Sequence, residues 1–140
     1  MATYDPWHAL AELDGARVVF DDLPPRRRGE VDFDTQTITL HRRLDPTAQR
    51  CTLAHELVHL ERGPVVMCQV PREERAVAAI AARRLVPLEA LAEALRWSRD
   101  ERAVADELSV DVRTVRVRLR SLTAAEQTFL HGRVGSDADP

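Results

Sequence analysis

At 140 residues, with 44% hydrophobic and 31% charged side chains, the chain suffices for one compact unit, and its composition excludes wholesale disorder and a second large domain. A net charge of -3 argues against a general attraction to nucleic acid or anionic membrane, leaving only local basic patches. No basic-then-apolar leader opens the chain, and no run approaches the roughly 20 apolar residues of a membrane span, so a cytoplasmic protein is expected.

In chain order, Asp5-Pro6 reads as a helix cap with proline in the first turn, opening a short helix that carries Trp7, Leu10 and Leu13 and stops at Gly15. Arg17 to Phe20, Gly29 to Phe33 and Thr35 to His41 have the β-branched or alternating character of short strands, separated by Pro24-Pro25 and Asp34. They predict a small antiparallel sheet. Arg26, Arg27 and Arg28 fall in a connecting loop and read as a solvated run with no assigned role.

The next segment is the most clearly punctuated. Asp45 can cap, Pro46 can fill the first turn and Gly63-Pro64 can stop the helix, so residues 55–59 lie within it. A second helix is predicted from Pro71 or Arg72 to Leu85, with Val77, Ile80, Ala81 and Leu85 on its apolar stripe, and Pro87 opens a third. Asp100 caps a helix ending near Leu108. A turn over Ser109 to Asp111 leads to a further helix with Val112, Val115, Leu119 and Leu122 on one face, a helix-turn-helix spacing. Thr123 and Glu126 match a capping box for a last helix, and residues 132–140 read as a flexible tail. The two cysteines, Cys51 and Cys68, read as reduced core thiols rather than a disulfide framework.

The chemistry is concentrated in His55-Glu56-Leu57-Val58-His59. Histidines at i and i+4 project from one helical face and can share a metal, while the acid between them falls slightly off that direction. Zinc accepts neutral imidazole nitrogen, and a catalytic zinc keeps three protein ligands and one position for water. Glu56 is therefore the candidate general base, His55 and His59 are candidate ligands for Zn2+, and the reaction class is amide hydrolysis. The third ligand is expected from the following helix, whose first turn offers both Glu73 and Glu74; periodicity does not choose between them.

The runs from Arg50 to Leu60 and from Glu73 to Pro87 resemble the ImmA/IrrE metallo-endopeptidases, a family associated with phage and mobile-element repressors and with stress-response regulators. The resemblance implies an α+β fold with a mostly helical, zincin-like core of gluzincin type. It implies an acid at a fixed interval before a leucine-hydrophobic-proline ending, which here counts back from Leu85-Val86-Pro87 to Glu74. It also implies a DNA-binding repressor as the cleaved partner.

Strand Thr35 to His41, if at a sheet edge, can align an extended peptide by strand addition, with His41 or Tyr4 as weak candidates for stabilising the oxyanion. The expected organisation is a metallopeptidase core over residues 1–98 and a helix-turn-helix-like segment over residues 99–131. Arg113, Arg116 and Arg120 line one outer face of the second helix of that segment. The alternative function is thus a regulatory module that binds DNA or the repressor and carries an inactive or structural metal site.

Overall fold

The computed structural model describes residues 3–135 and is mostly helical with one small sheet. The elements are helix α1 (Pro6–Ala11), strands β1 (Arg17–Asp21), β2 (Gly29–Asp32) and β3 (Thr37–His41), and helix α2 (Pro46–Arg62). A 3-10 turn (Met67–Gln69) leads into α3 (Val70–Leu85), α4 (Leu88–Trp97), α5 (Glu101–Leu108), α6 (Val112–Arg120) and α7 (Ala124–Gly135). The last helix continues through positions 132–135, where the composition had read as tail; positions 136–140 lie outside the described residues.

Local capping chemistry sets most helix boundaries. The Asp45 carboxylate accepts the Ala48 amide at 2.8 Å with Pro46 in the first turn, and Gly63 takes φ 84° to end α2, a backbone region that glycine enters without a side-chain clash. Asp100 and Asp111 cap α5 and α6 in the same way. Thr123 and Glu126 form the reciprocal box, with the Thr123 amide donating to Glu126 at 3.0 Å and the Glu126 amide to the Thr123 hydroxyl at 3.1 Å. Helix α1 ends at Ala11, short of Gly15, so Leu13 lies beyond it.

The sheet departs from the antiparallel expectation. Its order is β1-β3-β2: β3 pairs antiparallel with β2 but parallel with β1, with Val18 opposite Ile38 and Phe20 opposite Leu40. Periodicity marks strands but does not name their partners, and the residue 22–28 connection carries β2 past β1 so that β3 inserts between them. Strand β3 is therefore central, and the free edge facing α2 belongs to β2.

Ile38 and Leu40 of β3 pack with Leu53 and Leu57 of α2 in one cluster. A second cluster joins Cys51 and Ala54 of α2 to Leu85, Leu91, Val104 and Val115, so the helices after residue 98 share a core with the His55–His59 helix. Both cysteines are free thiols; Cys51 is buried as expected, whereas Cys68 sits exposed within the 3-10 turn. No helix among the described residues is long and apolar enough to cross a membrane.

Candidate metal centre

Helix α2 presents His55 and His59 one turn apart, and packing against α3 determines what faces them. Val58 of α2 meets Val77 and Ala81 of α3 in a small buried cluster. Glu74 lies one turn before Val77 and so faces the histidines, whereas Glu73, one position back, is rotated toward Arg62.

The Glu74 carboxylate reaches both imidazoles, with Oε2 3.1 Å from His55 Nε2 and Oε1 2.9 Å from His59 Nε2. The two rings stand 5.0 Å apart between centroids. One ligand atom from each of the three side chains falls within 4.8 Å of the others. Ligand atoms about 2.0 Å from a tetrahedral ion lie about 3.3 Å from one another, so this donor set of two nitrogens and one carboxylate oxygen fits zinc. Glu73 instead forms a two-pronged pair with Arg62, one prong at 3.1 Å, and that guanidinium holds its carboxyl below the usual range.

Burial of His55, reinforced by His59, lowers its pKa despite the opposing pull of Glu74; the Arg113 charge acts in the same direction as burial. A neutral imidazole is the form that binds metal. Glu56 is 8% exposed, and burial, followed by the nearby Glu74 carboxylate, pushes its carboxyl up to about 7. That places it where a group can both accept and release a proton near neutrality.

These four side chains open into a cleft of about 730 Å³ bounded by the β2 edge, the preceding arginine loop and the first turns of α6. Gly29 brings the β2 backbone against α2, since a Cβ there would lie 2.7 Å from Thr52 Cγ2 and 3.1 Å from Glu56 Cγ. Arg28 ties that strand to α6 through a 3.0 Å ion pair with Asp111, whose other carboxylate oxygen accepts the Thr114 amide and hydroxyl. Burial alone would raise the Asp111 carboxyl, but the Thr114 and Arg28 bonds hold it below its ordinary value.

Sequence reading assigned no role to Arg26, Arg27 or Arg28, yet all three line the cleft, as does Cys51. Gly29 gave the one usable signal, because glycine at a strand end often marks close backbone approach. The three α6 arginines of the expected outer face, Arg113, Arg116 and Arg120, do not act alike. Arg116 pairs with Glu101 at 2.8 Å, Arg113 lines the cleft and Arg120 lies outside it. His41 accepts the Arg43 amide through Nδ1, and Tyr4 lies in a separate depression beside Arg84; neither borders the metal centre. The peptide-aligning edge expected of β3 is not available there, since β3 is flanked on both sides, and the edge that borders the cleft is β2.

A mostly helical α+β fold here carries a helix-borne pair of histidines and a facing glutamate that could together hold a metal ion. The family comparison is specific: the IrrE N-terminal-like domain, a metallopeptidase family, matches residues 11–120, and the chain belongs to that family. No curated protein and no solved structure matches the chain.

Proposed function

We propose that this protein is a cytoplasmic zinc endopeptidase with a zincin-like core of gluzincin type, and that it cuts a DNA-binding repressor and thereby relieves repression. The observation that carries the reading is the convergence of both imidazole Nε2 atoms on the Glu74 carboxylate with a buried, proton-competent Glu56 alongside.

In this reading His55, His59 and Glu74 hold the ion. Bound there, zinc supplies Lewis acidity, lowering the pKa of a coordinated water and polarising the peptide carbonyl. Glu56, buried beside the ligands, would take the proton from the attacking water at its carboxylate and return it to the leaving amide nitrogen. The free edge of β2 offers backbone N–H and C=O groups to an extended peptide, which gives affinity with little dependence on side chains. The start of α6, through Asp111, Arg113, Thr114 and Val117, forms part of the wall along which a substrate would lie.

The test is incubation of the zinc-loaded protein with DNA-binding repressors encoded in the same genome, those of neighbouring genes first. Two fragments are expected from the wild type and intact repressor from Glu56→Gln, which keeps its zinc. Equal cutting by both forms would remove Glu56 from the mechanism, and no cutting by either would leave only a metal-binding regulator.

A further inference from the structure

The charges that line the cleft do not cancel. Arg27 is matched by Glu30 at 3.1 Å and Arg28 by Asp111 at 3.0 Å. Glu74 is committed to the two histidines. Glu56 also lines the cleft but is buried beside the histidines, which leaves Arg26 and Arg113 as the exposed charges bordering it that make no ion pair or hydrogen bond among the described residues.

Each sits where local physics disfavours it. Arg26 occupies the third position of a tight turn closed by the Arg27 amide on the Pro24 carbonyl at 3.0 Å, and it takes φ 72°, a region that glycine enters freely and a residue with a Cβ enters at a cost. Arg113 stands in the first turn of α6, where the helix dipole repels a positive charge. Two guanidiniums held at local cost, unpaired among the described residues and lining one peptide-sized cleft where the arginine loop meets the start of α6, form a receptor for a carboxylate.

We propose that the cleft selects peptides with an acidic side chain at a fixed position near the scissile bond, and that Arg113, assisted by Arg26, reads that side chain. The inference rests on the peptidase reading and adds its substrate class. Arg113 acts here as a specificity residue: Thr114 and Val117 border the cleft beside it, which fixes the face of α6 that carries it. Of the four α6 arginines, Arg116 is neutralised by Glu101, Arg118 is buried against Glu126 and Arg120 lies away from the cleft, so Arg113 is the one positioned for this role.

The test uses the zinc-loaded protein and an equimolar pool of C-terminally amidated peptides varied at every position, so that no chain-terminal carboxylate can substitute for a side chain. Cut sites are read by mass spectrometry, with Glu56→Gln as the blank. Asp or Glu should be enriched at one position relative to the cut. In Arg113→Gln the ratio of kcat/KM for acidic over matched Asn or Gln peptides should fall about tenfold, the size of one charge-assisted hydrogen bond. Arg113→Lys should retain much of the ratio, and Arg113→Glu should turn the preference toward Lys or Arg, with zinc content and melting temperature of each variant at the wild-type value. A wild type that cuts without acidic preference, or a preference that survives Arg113→Gln combined with Arg26→Gly, would overturn the proposal. Absence of any cutting above the blank is a different result, and it would overturn the peptidase reading together with this inference.

Discussion

Gly29→Ala tests how the β2 edge is held against the metal helix. The added methyl would lie 2.7 Å from Thr52 Cγ2 and 3.1 Å from both Glu56 Cγ and Oε1. Carbon atoms rest at about 3.5 to 4.0 Å, so β2 and α2 must separate by roughly 1 Å. Overpacking of this kind costs about 1 to 3 kcal/mol, and for a chain of this size 2 kcal/mol lowers the melting temperature by roughly 8 °C. The same shift displaces Glu56, the proposed proton shuttle, and a 1 Å misplacement of such a group costs on the order of a hundredfold in rate.

The diagnostic variant is the double change with Thr52→Ser, which removes the Cγ2 atom that the new methyl strikes. Thr52→Ser alone should cost about 1 kcal/mol for one lost buried methyl. The double variant should be more stable than the sum of the single effects by about 1 kcal/mol, a coupling that only neighbours show. Melting curves followed by circular dichroism supply the stabilities, and cleavage of the partner supplies the rate, with zinc content expected to stay near the wild-type level in all forms. Wild-type stability and rate in Gly29→Ala, or strict additivity in the double variant, would refute the close approach of β2 to α2.

Glu126→Gln should destabilise the protein by about 3 kcal/mol at neutral pH, because it strips the charge partner from Arg118, which is only 3% exposed and otherwise donates to the Val86 carbonyl. The Arg118 bond, followed by the Thr123 amide and Arg83, lowers the Glu126 pKa to about 2 from 4.5, so the stabilisation is complete above pH 4.5 and fades as pH falls toward 2. Urea unfolding should accordingly show the gap between wild type and variant narrowing over that interval; a gap of constant size would contradict the assignment. Arg28→Gln should cost less than about 1 kcal/mol, since the pair with Asp111 is partly solvated. It should nonetheless speed hydrogen exchange at the β2 amides, and unchanged exchange would mean that α6 does not steady that strand.

How much of this was legible in the sequence follows from how local each determinant is. Helix boundaries are written in side chains next to them, as Asp45 with Pro46, Asp100, and Thr123 with Glu126 demonstrate. The histidine spacing on α2 is equally local, because one turn of helix fixes both directions. Sheet pairing is not, and the parallel match of β1 with β3 depends on a connection whose path no periodicity records. Glu73 and Glu74 are equivalent by composition; what separates them is the contact of Val58 with Val77 and Ala81, which turns one acid to the histidines and the other to Arg62. The arginines of the cleft were the least visible. Arg26 and Arg113 are 87 positions apart, 113 less 26, and only the folded chain brings a loop and a helix start to one space.

The central claim is that two imidazoles and Glu74 grip a single ion, and the zinc content of purified protein tests it most directly. The account predicts close to one zinc per chain in the wild type and in Glu73→Gln, with a value near zero in His59→Ala and a marked loss in Glu74→Gln. Full zinc occupancy in His59→Ala, or loss in Glu73→Gln with none in Glu74→Gln, would contradict it.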